Sequence, residues 1–189
     1  MTSPADKADL RARMRALRRA LAKAHPGAAR AAAALLPPAL VLRASVVGSY
    51  NPQGAELDPG PVAAALAGRE GRIVLPTAQR RDAALIFRAP SPGARLVADA
   101  YGVPAPPPGA AEAVPDLLLV PLLAFDRSGG RLGQGAGAYD RTIENLRASG
   151  RVFVLGLAYA GQEIDQVPAE VHDQRLDGVM TETGYTEFR

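Results

Sequence analysis

The stretch DLLLVPLLAFDRSGGRLGQGAGAYDR, residues 116–141, joins an apolar run to a glycine-rich loop and a polar segment. The run Leu117–Val120 contains no polar residue, which is typical of a strand covered on both faces of a sheet. Gly133, Gly135 and Gly137 then alternate with other residues, whereas a hairpin turn needs one or two glycines. The stretch therefore predicts a buried strand that ends in a loop with accessible backbone N–H groups.

Apolar runs of strand length alternate with helical patterns along the rest of the chain. Strands are predicted at 44–50, 72–78, 84–89, 116–121, 151–159 and 177–182, the last of these being the final strand. Helices are predicted at 3–21, 27–36, 61–68 and 138–148. This alternation predicts an α/β fold, in one domain over residues 1–189, with a mostly parallel central sheet flanked by helices. The proline-rich residues 89–115 are predicted to form a long surface connection with one short strand near 95–99.

The first predicted helix has an apolar face and a basic face, with Ser3 as the predicted N-cap residue. The apolar face comprises Leu10, Met14, Leu17 and Leu21, and the basic face comprises Lys7, Arg11, Arg15 and Arg18. Spacing alone leaves the basic face open to two interpretations, a solvated surface and a binding surface for a polyanion. An RNA-binding protein is one rival of the second kind, although this helix lacks the aromatic platforms that such proteins use.

The composition excludes several classes of protein. The 189 residues include no cysteine, which excludes disulfides and thiolate chemistry. The first residues do not have the pattern of a signal peptide, and no uninterrupted apolar stretch approaches the roughly 18 residues of a membrane span. We therefore expect a cytoplasmic protein.

The glycine loop has the chemistry of an anion-binding site. Where a residue lacks a Cβ atom, its N–H group can approach an oxyanion closely, and a helix that starts near Gly137 adds its own N-terminal N–H groups. Arg131 adds a charged fork for phosphate oxygens, and Asp140 in the first helical turn is a candidate Mg²⁺ ligand. The pattern fits neither a Walker A loop nor a dinucleotide fingerprint. A flexible surface loop is the alternative.

The same stretch resembles the signature of the 5-formyltetrahydrofolate cyclo-ligase family. That signature is a Val-Pro-…-Phe-Asp segment followed by Arg-Leu-Gly-x-Gly-x-Gly-x-Tyr-Asp. KADLR (7–11), GAELD (54–58) and residues 155–182, with their Gln, Val-Pro, His-Asp and Thr-Glu, also resemble the family and occur in the same order. Ala105, Ala136 and Ala138 depart from its pattern.

The resemblance implies an enzyme that depends on ATP and Mg²⁺ and converts 5-formyltetrahydrofolate to 5,10-methenyltetrahydrofolate, ADP and phosphate. The formyl oxygen would take the γ-phosphoryl group, N10 of the folate would attack the activated carbon, and phosphate would leave. The enzyme is expected to be a monomer without a nucleic-acid or membrane partner. The alternative, prompted by Ala105 and Ala138, is a non-catalytic or altered-substrate relative that binds folate or nucleotide.

The resemblance also implies roles for individual residues. ATP is predicted to contact Lys7, Arg11, Arg131, Leu132, Gly133, Gln134, Gly135, Ala136, Gly137, Ala138 and Tyr139, of which Arg131 and Tyr139 are the predicted catalytic residues. The folate is predicted to contact Tyr50, Glu56, Phe125 and Tyr139, and Mg²⁺ to be held by Asp140 and Asp173 directly or through water. A solvated position stays open for Arg15 and Arg18, and His172 is interpreted as a loop residue.

Overall fold

The computed structural model describes residues 4–91, 93–150 and 152–188, so the predicted N-cap Ser3 lies outside the described residues. The helices are α1 Pro4–Ala24, α2 Ala28–Ala34, α3 Pro38–Val41, α4 Gly60–Ala67 and α5 Ala138–Ser149, with a 3-10 helix at Ala160–Gln162. The strands are β1 Val46–Gly48, β2 Arg72–Thr77, β3 Ile86–Arg88, β4 Val97–Ala98, β5 Pro104–Ala105, β6 Leu117–Pro121, β7 Ala124–Phe125, β8 Arg131–Leu132, β9 Phe153–Leu157, β10 Gly178–Thr181 and β11 Gly184–Glu187.

Seven strands form one sheet in the order β11-β10-β9-β6-β1-β2-β3. The pairs from β10 to β2 are parallel, and β3 and β11 add an antiparallel strand at each edge. This arrangement confirms the predicted α/β fold with its mostly parallel sheet. The prediction that 177–182 is the final strand was wrong, because the turn after Thr181 returns the chain along β10 as β11.

Alternate residues of the central strand reach the two faces of the sheet, because successive side chains of a strand point in opposite directions. Leu117 and Leu119 belong to an apolar cluster that α2, α3 and α4 cover. Leu118 and Val120 belong to a second cluster, which includes Ile143 of α5. The uninterrupted apolar run thus serves both faces, as its composition predicted.

Helix α1 packs most of its predicted apolar face, since Leu10 and Leu21 contact the apolar clusters, but it leaves one leucine out. Leu17 is 38% exposed, whereas Lys7, Met14 and Arg18 are all less than 10% exposed. These three residues recur at spacings of seven and four, so they share one side of the helix. The side of α1 that faces the protein therefore carries cations, and the apolar face was predicted incorrectly at Leu17. Within the described ranges, no helix combines the length and the apolar character that crossing a membrane requires.

Asp126 fixes the turn between β7 and β8. Its Oδ1 accepts hydrogen bonds from the N–H and hydroxyl of Ser128 at 2.8 and 2.6 Å and from the N–H of Gly130 at 3.0 Å. Its Oδ2 accepts from the N–H of Val167 at 2.8 Å. Burial alone would raise the pKa of this carboxyl group, but the hydrogen bonds outweigh burial and hold its pKa below the usual value. Asp126 thereby ties the start of the glycine loop to the segment that follows Val167.

Replacing Asp126 should destabilise the protein. Asp126→Ala leaves four donors without their acceptor, so we expect the free energy of unfolding at pH 7 to fall by about 2–4 kcal/mol. Because the folded pKa is depressed, the stabilisation by the carboxylate is present above the unfolded pKa of about 4 and is lost as the pH falls through the folded value. Denaturant titrations at pH 7 and pH 3 should therefore show a smaller gap between wild type and Asp126→Asn at the lower pH.

Asp165→Ala is the matched control, since Asp165 is an exposed acid in the same part of the chain. It should change the free energy of unfolding by no more than about 0.5 kcal/mol. A similar loss in both alanine variants would show that Asp126 has no special structural role.

Candidate active site

A cavity of about 320 Å³ opens beside the carboxyl ends of β1, β2 and β6, with α1 and the glycine loop forming part of its wall. This is the edge of an α/β sheet at which ligands usually bind. Segments far apart in sequence contribute to it, since residues 7–18, 50–56, 131–140 and 170–173 all supply wall residues. Every predicted site residue except Phe125 lies in this wall.

Phe125 lies in the core instead. It is 4% exposed and packs in the cluster on the α5 side of the sheet, as part of the short ribbon that β7 forms with β8. Its ring packs among the buried apolar residues of that cluster, and the ribbon leads into the glycine loop. The structure therefore gives no support to the predicted contact between Phe125 and a substrate.

The glycine loop, residues 131–139, is anchored at both ends. Leu132 is buried against Met14 of α1 at its start, and Ala138 begins α5 at its end. Gly135 and Gly137 have φ angles of +103° and +67°, a backbone conformation that only glycine adopts without strain. The loop thus turns sharply between two fixed points and ends at the N-terminus of a helix, which favours anions.

Side chains of helix α1 also contact the glycine loop. Nε of Arg11 donates to the carbonyl oxygen of Gly133 at 3.2 Å, and Nε of Arg15 donates to the side-chain oxygen of Gln134 at 3.0 Å. A Cβ atom on Gly135 would lie only 3.4 Å from Cζ of Arg11. The guanidinium of Arg11 therefore lies against the glycine backbone, where an anion bound by the loop would meet it.

Lys7 connects α1 to an acidic cluster near the end of the chain. Its Nζ donates to Oε1 of Glu170 at 2.8 Å and to Oδ2 of Asp173 at 3.2 Å. Burial would lower the pKa of Lys7, but its bonds to the two carboxylates outweigh burial and raise the pKa. Nε2 of His172 lies 3.3 Å from Glu170, and ligand atoms of Glu170, His172 and Asp173 all lie within 4.8 Å of one another.

The sequence predicted Asp173 in this cluster but missed Glu170 and gave His172 no role. The position of Glu170 and His172 close to Asp173 in the sequence was the signal that could have identified them. Whether side chains that are adjacent in sequence come together in space depends on the turn that the backbone makes. In this loop, a hydrogen bond from the N–H of Glu170 to Oδ2 of Asp173 at 2.7 Å closes the turn.

Arg131 and Asp140 form an ion pair at 2.6 Å. Arg131 is almost completely buried, and this burial lowers the pKa of its guanidinium despite the neighbouring carboxylate. Oδ1 of Asp140 also accepts from the N–H of Gln174 at 3.0 Å, whereas Oδ2 has no partner in the described part of the chain. The sequence assigned these two side chains to different ligands, and the structure pairs them at the end of the glycine loop.

One group of wall residues, which we call the inner end, comprises Arg18, Tyr50, Glu56, Leu122 and Tyr139. Arg18 and Glu56 form an ion pair at 3.4 Å in which each side chain is only 7% exposed. Burial raises the pKa values of Tyr50 and Tyr139, and the charge on Glu56 raises both further. Both phenols therefore stay protonated. The hydroxyl of Tyr50 already donates to the carbonyl oxygen of Leu57 at 2.6 Å, whereas the hydroxyl of Tyr139 can donate to a ligand.

The solvated position left open for Arg18 is thus wrong, because its charge has a buried partner from a distant loop. Arg15 reaches only the exposed side chain of Gln134. Of the two alanines that prompted the alternative function, Ala138 lines the cavity, while Ala105 is fully buried in β5 away from this wall.

The cavity consequently has two chemically different ends. Its outer end, with Lys7, Arg11, the glycine loop and the acidic cluster, offers cations, N–H groups and carboxylates, which suit a polyphosphate with a metal ion. Its inner end offers aromatic and aliphatic surface with a single buried carboxylate, which suits a flat ring that carries N–H donors. The arrangement can hold two ligands side by side.

Comparison with known proteins confirms the resemblance seen in the motifs. Residues 3–182 match the 5-formyltetrahydrofolate cyclo-ligase family. The 5-formyltetrahydrofolate cyclo-ligase of Mycolicibacterium smegmatis is 38% identical over 191 residues, covering 95% of each protein. The enzyme of the same name from Escherichia coli K12 is 31% identical over 153 residues, covering 78% of this chain and 84% of its own length.

Solved structures agree with the fold. The 5,10-methenyltetrahydrofolate synthetase of Aquifex aeolicus superposes with a TM-score of 0.73 at 25% identity, covering 97% of this chain and 93% of that one. The Mycoplasma pneumoniae protein of the same name gives a TM-score of 0.69 at 22% identity, covering 94% of this chain and 99% of that one. The likeness extends over nearly the whole chain, which confirms the α/β architecture.

Gly135→Ala should damage the glycine loop. An alanine at a φ of +103° is strained, and its Cβ would lie against Arg11, so we expect the free energy of unfolding to fall by about 1–2 kcal/mol. Relief of this strain moves the N–H groups of the loop, and the affinity for a nucleoside triphosphate should fall about tenfold. Denaturant titration and calorimetric titration with ATP measure the two effects.

Gly133→Ala is the matched control in the same loop. Gly133 does not have a left-handed φ, and a Cβ added there would have its nearest neighbour at an ordinary 3.7 Å. Its stability should change by no more than about 0.5 kcal/mol. Equal losses of affinity in the two variants would contradict the role given to the backbone of Gly135.

Proposed function

The chain belongs to the 5-formyltetrahydrofolate cyclo-ligase family, and from this membership we propose that ATP binds at the outer end of its cavity and 5-formyltetrahydrofolate at the inner end. Enzymes of this family use ATP to form 5,10-methenyltetrahydrofolate, and this chain is accordingly a ligase. The observation that carries the proposal is the cavity itself, because one continuous wall joins a polyanion site to a site for an N–H-bearing ring.

The outer end suits the triphosphate of ATP. Lys7 and Arg11 are one helical turn apart and both line the cavity, so they can face the same polyphosphate. The N–H groups around Gly135 and at the start of α5 supply further donors. Phosphoryl transfer depends mainly on positioning and on charge neutralisation, and these groups provide both.

The inner end suits the pterin ring. Glu56 presents a buried carboxylate, and one of its oxygens already accepts from the N–H of Gln53 at 2.9 Å, which fixes its orientation. A carboxylate held in this way accepts hydrogen bonds from the amino group and ring N–H of a pterin. Tyr50 and Tyr139 line the same space and contribute aromatic surface.

The proposed reaction has two steps. The formyl oxygen of the folate attacks the γ-phosphorus of ATP, the bond from that phosphorus to the bridging oxygen breaks, and ADP leaves. N10 then attacks the activated formyl carbon, its proton is lost, and the carbon–oxygen bond breaks to release phosphate and close the ring. No nucleophilic side chain is required, which agrees with a site made of charged groups and N–H donors.

Arg131 and Tyr139 are the proposed catalytic residues. The ion pair with Asp140 fixes the guanidinium of Arg131 in the cavity wall, where it can stabilise negative charge on the transferred phosphoryl group. The raised pKa of Tyr139 keeps its hydroxyl protonated, so the hydroxyl can donate to an oxygen that gains charge. The two residues are the first and last residues of the loop that is proposed to hold the phosphates.

We further propose that Asp140 and Asp173 hold Mg²⁺, directly or through water, together with Glu170. Carboxylate oxygens are the ligands that Mg²⁺ prefers, and Lys7 already places one cation between Glu170 and Asp173. The unpartnered Oδ2 of Asp140 is available for the same purpose. A bound Mg²⁺ would neutralise phosphate charge. The expectation of a single-domain monomer stays a prediction.

Turnover and the KM values for ATP and for the folate test this function. The purified protein with MgATP and 5-formyltetrahydrofolate should form the methenyl chromophore. Lys7→Met should raise the KM for ATP at least about tenfold, because it removes a buried cation, while changing the KM for the folate less than about threefold. Glu56→Gln should raise the KM for the folate at least about tenfold, while changing the KM for ATP less than about threefold. Steady-state absorbance assays that vary each substrate give both constants.

Binding of ATP and folate without chromophore formation would instead indicate the non-catalytic relative. If Lys7→Met and Glu56→Gln each raise both KM values equally, the assignment of the two ends is incorrect. Arg19→Met, at an exposed position on α1, is the control and should leave both constants unchanged.

Asp173→Asn should weaken the dependence on magnesium. Loss of a carboxylate ligand is expected to raise the Mg²⁺ concentration for half-maximal activity at least about tenfold, with a smaller effect on folate binding. Mg²⁺ titrations of the rate at saturating substrates measure this change. Asp165→Asn, an exposed acid nearby, should behave as wild type, and an unchanged Mg²⁺ requirement in Asp173→Asn would exclude Asp173 as a ligand.

A further inference from the structure

Arg18 has hydrogen-bond donors that the protein does not use. Only its Nη1 is engaged, donating to Oε1 of Glu56 at 3.4 Å and to the carbonyl oxygen of Leu122 at 3.1 Å. Its Nε is buried without any partner, and Nη2 makes no hydrogen bond in the ranges that the structure describes. The side chain is nevertheless among the most buried charged groups of the protein and lines the inner end of the cavity.

Leaving the buried Nε without a partner is costly, because water does not solvate it there. An acceptor that reaches the edge of the guanidinium formed by Nε and Nη2 removes this cost. Since Arg18 contacts Glu56 through Nη1, that acceptor would lie next to whatever Glu56 binds. The inner end thus presents a carboxylate that accepts hydrogen bonds directly beside a guanidinium that donates them.

A 2-amino-4-oxopyrimidine ring has the complementary edge. Its amino group and adjacent ring N–H donate, and the carbonyl oxygen next to them accepts. The pterin of 5-formyltetrahydrofolate carries this ring. We propose that Arg18 is a substrate-binding residue, which donates to the C4 carbonyl oxygen of the pterin while Glu56 accepts from the ring N–H and the 2-amino group. This inference rests on the proposed function.

The same geometry admits a purely structural role, in which Arg18 only braces Glu56 and the carbonyl of Leu122. The two roles differ in what the substrate has to offer. A brace affects equally all ligands that offer Glu56 the same N–H groups, whereas a direct donor distinguishes ligands by the acceptor at C4. A ligand with a thiocarbonyl at C4 keeps the ring N–H and the 2-amino group but offers a weaker acceptor, so it separates the two roles.

The experiment compares the dissociation constants of 5-formyltetrahydrofolate and its 4-thioxo analogue at pH 7, in wild type and in Arg18→Met. Wild type should prefer the oxo ligand, since sulfur is the weaker acceptor for the guanidinium. Arg18→Met should reduce that preference about threefold or more, as expected for loss of a hydrogen bond to a charged group. Arg19→Met, the exposed neighbour on α1, should keep the wild-type preference.

Equal loss of affinity for both ligands in Arg18→Met would overturn the proposal and leave Arg18 as a brace. Circular dichroism checks that the variant folds. If it does not, Arg18→Lys replaces it. A lysine keeps the charge but lacks the planar fork, so it should lower the preference at least about threefold, and an unchanged preference would overturn the proposal.

The outcome is separable from that of the proposed function. A wild-type protein that binds both folates with the expected preference but forms no methenyl product would refute the catalytic assignment and leave the role of Arg18 standing. A wild-type protein that turns over normally, with the preference unchanged in Arg18→Met, would refute only the role of Arg18.

Discussion

The ion pairs between helix α1 and distant acids are the interactions on which this site depends. Lys7 reaches Glu170 and Asp173 across more than 160 residues of sequence, and Arg18 reaches Glu56. Burying these cations without partners would be strongly unfavourable, so helix α1 packs only where acidic side chains can pair with them. Docking in turn covers the glycine loop with Arg11 and closes the cavity.

Such pairs are poor sources of stability compared with apolar contacts of the same volume, since the loss of hydration offsets most of the attraction. Their value here is that they can be exchanged. A triphosphate in the proposed site would offer Lys7 a second anionic partner, and the carboxylates that Lys7 would then release suit a divalent cation. In the ligand-free protein, the charged groups that would bind the proposed ligands are therefore paired with one another.

The strands of the central sheet could be predicted because each of them is recognisable from its own short stretch of sequence. Apolar runs such as 117–120 have to be covered on both faces, and the helices between them were recognisable from their spacing. The final edge strand was missed because only its pairing with β10 makes it a strand. The glycine loop, with Arg131 and Asp140, was predictable from its own pattern as an anion site. The rest of the cavity wall was predictable only through resemblance to a family, and Phe125 shows the limit of that approach. A residue within a shared motif can serve the core that supports the site.

Helix α1 departs from the usual rule that cations face outward, since it buries Lys7 and Arg18 beside its apolar residues. Periodicity locates a face but does not say what the face meets, and here it meets a cavity with acids in its wall. Lys7 and Arg18 are 11 residues apart, which is three helical turns or about 16 Å along the axis, so both project from the same side. One rigid element therefore presents a cation to each end of the cavity. The spacing between a triphosphate and a pterin is in this way determined by a helix, whose geometry does not depend on the loops that contact either ligand.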